Sequence, residues 1–112
     1  MLNRQPLVSQ SSSYILTLFP SHIRDCWLNI PKRYWHLFPD VKKLPILLVT
    51  DKGDIQTMLY NYSTRPYFLE GKELRIWFNA HPELKAGDKV RITAIESMKY
   101  RLEILRSEKV IY

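Results

Sequence analysis

The chain has 112 residues, of which 46% are hydrophobic, 12% aromatic and 25% charged. This length accommodates one ordinary domain and excludes two, and the composition excludes a wholly disordered chain. The 17 Lys and Arg residues outnumber the 11 Asp and Glu residues, giving a formal net charge of +6. A charge of this sign favours a polyanionic partner such as nucleic acid.

The single cysteine, Cys26, excludes an intrachain disulfide framework and a cysteine-rich zinc site. No segment approaches the roughly 18 consecutive apolar residues of a membrane span, and the N-terminus lacks the apolar block of a secretory signal. We therefore expect a cytoplasmic protein without a membrane partner. The polar residues 1–11 are predicted to be a flexible lead-in, and residues 12–112 to form one domain.

The first half of the chain is rich in β-branched and aromatic residues, which favour strands. Strands are predicted at residues 14–19, 27–30, 46–50 and 55–60, the last two joined by the turn sequence 51–54. Pro31 and Pro39 bracket residues 32–38, which predicts a short helix there. Two polar segments, around residues 22–25 and 61–66, interrupt this pattern and are predicted to be loops.

The second half begins with a short apolar strand at residues 67–69. Leu74, Trp77 and Phe78 lie at helical spacing and predict a second short helix over residues 72–79, with Glu73 near its positive end. Residues 89–95 and 99–105 alternate with period two, which predicts a closing hairpin with one wet face. About seven strands with two short helices favour a mainly β fold whose sheet wraps into a barrel, which removes exposed sheet edges.

A catalytic interpretation lacks the residues that it needs. The three glycines lie singly beside turn residues, so there is no glycine-rich phosphate loop, and no two histidines stand at the i, i+4 spacing that suits a metal. Cys26 has no flanking residue that favours a thiolate. The loose carboxylates, Asp51, Asp54, Glu70 and Glu73, do not suggest a nuclease centre, and the turn explains the first two. We expect no catalytic residue, metal or cofactor in this chain.

The two polar segments carry side chains suited to reading bases. Arginine can contact guanine through O6 and N7, asparagine can pair with adenine, and aspartate can accept from the cytosine amino group. The simpler alternative is that both segments are solvated loops. Trp27, Trp35 and Trp77 could stack on single-stranded bases, although their apolar neighbours favour positions in the core.

Four blocks, in order, resemble the plant B-three DNA-binding domain. The segment 28–32 with Phe38 and Pro39 is similar to that family's "V-I-P-K … F-P" block, and residues 60–63 resemble its tyrosine, tryptophan and asparagine strand. Residues 67–69 with Gly71 and Lys72 resemble "Y-V-L-T-K-G-W", and residues 84–90 resemble "L-x-x-G-D-x-V". The resemblance extends from about residue 14 to residue 105 and implies a seven-stranded DNA-binding pseudobarrel with two short helices.

The resemblance also implies two arms that enter the major groove of double-stranded DNA. It assigns base readout to Ser21, His22, Arg24 and Asp25 in the first arm, and to Asn61, Tyr62, Ser63, Thr64, Arg65 and Tyr67 in the second. Candidate phosphate contacts, which position a protein without specifying sequence, are Lys32, Arg33, Lys72 and Arg75. The plant domains have a tryptophan, asparagine and serine run in the second arm where this chain has residues 61–65, so the recognised DNA sequence should differ.

The compact chain is also similar to the bacterial branch of this fold, in which the domain is the recognition or effector module of EcoRII-type restriction endonucleases. The resemblance implies a monomeric bacterial domain whose nuclease centre lies in a separate, linked domain. A transcription regulator, either B-three-like or of the shorter, dimeric swapped-hairpin type, is one alternative. A barrel that binds single strands or RNA through exposed aromatic residues is another.

Overall fold

The computed structural model describes residues 12–106; the predicted lead-in at residues 1–11 lies outside the described residues, as do residues 107–112. Two α-helices and one 3₁₀ helix accompany the strands: α1 (Pro20–Asp25), the 3₁₀ helix (Lys32–Leu37) and α2 (Lys72–Asn79). The strands of this described part are β1 (Ser13–Thr17), β2 (Trp27–Asn29), β3 (Lys43–Thr50), β4 (Gly53–Tyr60), β5 (Phe68–Glu70), β6 (Lys89–Glu96) and β7 (Lys99–Leu105).

All seven strands form one sheet in the order β1-β6-β7-β3-β4-β5-β2. Neighbouring strands are antiparallel except β3 and β7, which pair in parallel. The sheet curls into a half-barrel. It remains open between β1 and β2, which lie at opposite ends of the strand order. The prediction of a mainly β, seven-stranded open pseudobarrel is confirmed.

The core lies on one face of the curled sheet. Strand register places Leu28, Leu69 and Leu59 side by side on β2, β5 and β4, and all three are fully buried. Helix α2 packs against β4 and buries Trp77 and two neighbours, as the helical spacing predicted. Because strand side chains alternate, the residues flanking these leucines lie on the opposite face.

The helices differ from the prediction in one place. The segment 72–79 forms the predicted helix, and the segment predicted as a helix at 32–38 is a 3₁₀ helix. The first polar segment, predicted to be a loop, lies within the α-helix α1 instead. Pro20 supplies a helical φ at its first position, and the backbone N–H of Phe19 donates to Nδ1 of His22 at 2.8 Å, which closes the first turn. The fold therefore has three short helical segments.

The turn between β3 and β4 is tied to α2, which the sequence analysis did not anticipate. Asp51 accepts hydrogen bonds from Nε1 of Trp77 at 3.0 Å and from Nε2 of His81. Burial opposes ionisation, but these bonds outweigh it and hold the pKa of Asp51 below its ordinary value. Nδ1 of His81 lies 2.9 Å from Glu83, which also pairs with Arg106. Asp51 therefore has a structural role beyond the turn alone.

Candidate nucleic-acid interface

Two segments leave the sheet at its β2 edge. Arm 1 (residues 19–25) leads into β2, and arm 2 (residues 61–67) connects β4 to β5. Strand β5 pairs with β2 on one side and β4 on the other. Both arms therefore flank the same three-strand surface.

The face of these three strands opposite the core carries aromatic side chains. Register aligns Asn29, Phe68 and Tyr60 in one row. The ring of Phe68 stacks on Tyr60 at a centroid distance of 5.1 Å and meets the edge of Trp27 at 6.1 Å. Tyr62 of arm 2 lies 5.7 Å from Tyr60. We call Trp27, Tyr60, Tyr62 and Phe68 the aromatic patch.

His22 anchors arm 1 to this surface. Its side chain is buried, and its Nδ1 accepts from the backbone N–H of Phe19. Nε2 must therefore carry the proton, and it donates to Oδ1 of Asn29 at 2.7 Å. Burial lowers the pKa of His22, although the bond to Asn29 partly opposes that shift.

Both nitrogens of the His22 ring are thus engaged, and the ring packs 5.1 Å from Trp27. The resemblance assigned His22 to base readout; in this structure the ring is buried and both of its nitrogens are bonded within the protein. The structure places it as a support for arm 1.

The rest of arm 1 is accessible. Ser21 is half-buried, whereas Arg24 and Asp25 are exposed and pair with each other, Nη2 to Oδ2, at 3.1 Å. An exposed pair of this kind contributes little stability. Both side chains can therefore exchange this contact for one with DNA at little cost.

Arm 2 is held by its two end residues. Asn61 donates its backbone N–H to the carbonyl of Lys42, and its Oδ1 accepts from the backbone N–H of Tyr67 at 3.4 Å. The ring of Tyr67 is buried, and its hydroxyl donates to the carbonyl of Pro39. Tyr67, expected at the DNA surface, is therefore an interior anchor.

The tip of arm 2 is exposed. The backbone groups of Tyr62 and Arg65 exchange two hydrogen bonds, each 3.1 Å, and close a tight loop around Ser63 and Thr64. This loop presents the side chains of residues 62–65 to solvent. These four residues retain the accessibility that base contacts require.

Arg65 links arm 2 to arm 1. Its guanidinium carbon lies 3.9 Å from the ring centroid of Phe68 and 4.6 Å from that of Trp27. The ring of Trp27 therefore contacts His22 of one arm and Arg65 of the other. Sequence analysis favoured the core for Trp27; the informative signal was Leu28, whose burial places its neighbour on the opposite face.

The four candidate phosphate contacts lie at both ends of the three-strand surface. Lys32 and Arg33 follow β2, whereas Lys72 and Arg75 follow the antiparallel β5, and all four are exposed. Within residues 12–106, none of the four forms an ion pair with a carboxylate. Lys43, not identified from the sequence, adds an ammonium group 5.9 Å from the Tyr60 ring.

The same described part of the chain contains no cluster of three metal-ligating side chains, and none of its helices has the length and apolar character to cross a membrane. Cys26, the residue that caps the C-terminal end of α1, is buried. The chemistry of the surface is thus that of arginine, amide, hydroxyl and aromatic groups beside unpaired cations. These groups can bind phosphates, base edges and base faces.

No protein-family model matches the chain, and no curated protein does. Several solved structures are similar to it. A complex of Arabidopsis FUS3 with DNA is 20% identical, with a TM-score of 0.66 over 85% of this chain and 97% of that one. The N-terminal domain of Helicobacter pylori LlaJI.R1 is 18% identical, with a TM-score of 0.65 over 85% and 81% of the respective chains.

A hypothetical Arabidopsis thaliana protein is 14% identical, with a TM-score of 0.63 over 83% of this chain and 88% of that one. At these identities the similarity concerns the fold. The plant and bacterial structures superpose on the same seven-stranded half-barrel, so the chain has the B-three-like pseudobarrel fold that its sequence blocks resembled.

Proposed function

We propose that this domain binds double-stranded DNA and reads a short sequence by placing arms 1 and 2 in the major groove. The base contacts would come from Ser21, Arg24 and Asp25 in arm 1 and from residues 62–65 in arm 2. His22, Asn61 and Tyr67 hold the arms in place, since each is engaged in internal hydrogen bonds.

One observation carries this proposal: Trp27 contacts His22 of arm 1 and Arg65 of arm 2. Two polar arms fixed to one ring form a single unit with a defined spacing. Groove readout needs such a unit, because a bidentate contact discriminates between bases only when its position is fixed. Independent solvated loops would not need a shared support.

The phosphate contacts would come from Lys32, Arg33, Lys72 and Arg75. They bracket the surface at both ends of β2 and β5, and none is neutralised by a carboxylate in the described residues. The net charge of +6 adds a long-range attraction for the duplex. Phosphate contacts of this kind fix orientation and leave sequence to the arms.

We further propose that the domain is the recognition or effector module of a type II restriction endonuclease, monomeric and bacterial, with the nuclease in a linked domain. The sequence resemblance to the EcoRII branch and the fold shared with an N-terminal domain of a Helicobacter pylori protein support this. The fold shared with the FUS3–DNA complex supports a transcription regulator as the second candidate.

Selection from a random duplex library at moderate salt tests DNA recognition. We expect one short site to be enriched. Arg24→Ala should then relax the preference at one base pair of that site by ~1–3 kcal/mol, because a bidentate contact is lost. Lys52→Ala is the matched control: it removes one exposed cation at the β3–β4 turn, the end of β4 away from arm 2, and should leave the preference unchanged.

Competition between duplex and single-stranded probes separates this function from a single-strand or RNA-binding barrel. Groove readout requires paired bases, whereas stacking on the aromatic patch requires free ones. Preference for the single strand, or no preference among duplexes, would contradict the proposal. Cleavage of DNA by this chain with a divalent metal would contradict the separate-nuclease assignment.

A further inference from the structure

Phe19 is the exposed aromatic residue that neither the fold nor the proposed contacts use. Its side chain is 61% exposed, the largest value among the large apolar residues of the described part. The hydrophobic staple that often opens a helix uses the residue before the N-cap, whereas Phe19 is itself the N-cap residue of α1. That motif therefore does not account for the Phe19 ring, most of which remains exposed.

The position of Phe19 is nevertheless fixed. Its backbone N–H donates to Nδ1 of His22, and its carbonyl accepts the backbone N–H of His22 at 3.0 Å. Its ring stacks on the His22 ring at a centroid distance of 5.6 Å and an interplanar angle of 26°. Since His22 is itself buried and bonded to Asn29, Phe19 loses little further freedom when its outer face is covered.

The ring also belongs to the row of contacts that joins the two arms. A continuous series of contacts runs from Phe19 to His22, on to Trp27, and from Trp27 to the guanidinium of Arg65. The exposed ring and the arginine of arm 2 are thus placed at the two ends of one row. Under the proposed function, a duplex that contacts arm 1 and Arg65 would therefore lie next to this row.

The major groove presents one apolar group to such a ring, the methyl group at C5 of a pyrimidine, and phenylalanine is among the side chains that contact it. We infer that Phe19 is a specificity-determining residue that reads the C5-methyl group of a pyrimidine, carried by thymine or by 5-methylcytosine. The inference rests on the proposed function, because it needs arm 1 to lie in the groove.

The test uses the site enriched in the library selection, with one pyrimidine changed at a time. Deoxyuridine in place of thymine removes only the methyl group, and 5-methylcytosine in place of cytosine adds it. We expect the native domain to respond at one position, by about fourfold in affinity, as one buried methyl group predicts. A loss of affinity with deoxyuridine identifies thymine as the base that Phe19 contacts, and a gain of affinity with 5-methylcytosine identifies the methylated cytosine.

Phe19→Ala should bind the methylated and unmethylated duplexes equally, whereas Phe19→Leu, which stays apolar, should keep part of the difference. Ile76→Ala is the matched control, since Ile76 is 56% exposed but lies on α2. An enriched site without methyl dependence, or a dependence that Phe19→Ala retains, overturns this inference and leaves DNA recognition standing. Failure to enrich any site overturns both.

Discussion

Arm 1 and arm 2 carry similar polar residues but are built differently. Arm 1 contains a helix whose buried histidine is bonded to its own first turn and to β2. Arm 2 has no regular structure, and its exposed tip is held to the sheet by the cation–π contact of Arg65. The support of arm 1 is separate from its candidate contact residues, whereas at the tip of arm 2 Arg65 is both the support and a candidate contact.

This difference has a consequence for binding. Arg24 can turn to a base without disturbing His22, so arm 1 is organised before DNA arrives. Arg65 lies on the rings of Trp27 and Phe68, so the group that would contact a base is also the group that joins the tip of arm 2 to the sheet. We therefore expect arm 1 to depend on its anchor for stability and arm 2 to show little dependence of stability on its arginine.

Removing the anchor of arm 1 should give the largest effect. In His22→Ala, the N–H of Phe19 and Oδ1 of Asn29 lose their partners and a cavity remains. The expected cost is ~2–4 kcal/mol in the free energy of unfolding, measured by urea denaturation. Arg24→Ala, in the same helix, should stay within ~0.5 kcal/mol of the native value. Equal costs for the two variants would mean that His22 is no anchor.

The arginine of arm 2 should show the reverse pattern. Arg65→Ala loses an exposed cation–π contact, which contributes less than ~1 kcal/mol to folding. The same change should remove ~1–3 kcal/mol of discrimination at one base pair, measured by competition with single-base-pair variants of the enriched site. Arg65→Lys keeps the charge but not the planar fork, so it should restore affinity without restoring discrimination. If Arg65→Ala lowers the free energy of unfolding by more than it lowers the discrimination between bases, Arg65 stabilises the fold and does not read a base.

Comparison of the arms also explains how far the sequence could be read. β-Branched, aromatic and apolar runs predicted the earlier strands, and alternation with period two predicted the closing hairpin, because both signals are local and strong. The polar segments between the strands, with the family resemblance, located both arms. Exposure within the arms was not predictable, since His22 and Asp25 are both polar in sequence and only the bonds to Phe19 and Asn29 distinguish the buried from the exposed side chain.

Contacts that join distant parts of the chain were likewise beyond the sequence. Nothing near Trp27 indicates that Arg65, many residues later, rests on its ring, because that contact depends on β5 pairing between β2 and β4. The same holds for Asp51, whose partners Trp77 and His81 come from another element. Local chemistry predicted the turn at Asp51 and missed its second role.

Acid should weaken arm 1 selectively. The pKa of His22 is lowered from 6.5 in the folded state, so the folded protein favours the neutral ring. The contribution of this pKa shift to the free energy of unfolding is therefore complete above pH 6.5. It is lost as the pH falls from 6.5 toward the lower pKa of the folded state. The carboxylate of Glu83, which is bonded to His81, is protonated only at a much lower pH, since its pKa is lowered to about 2.

An NMR titration of the His22 ring gives this pKa directly. Urea denaturation between pH 7.5 and 5 should show a decline in the native protein that His22→Ala lacks. If the ring titrates at or above 6.5, the bonds to Phe19 and Asn29 do not select the neutral form.

The smallest effect should come from residues outside both arms. Lys32 is exposed beside β2 and is a candidate phosphate contact, so Lys32→Ala should weaken binding to every duplex alike, whichever bases the arms read. The slope of log affinity against log salt concentration should become shallower by about 0.9, the value for one phosphate contact. Lys52→Ala, with the same loss of charge at the β3–β4 turn, should leave the slope unchanged. A loss confined to the enriched site would instead place Lys32 among the residues that read bases, and the division between arms that specify and cations that position would have to be redrawn.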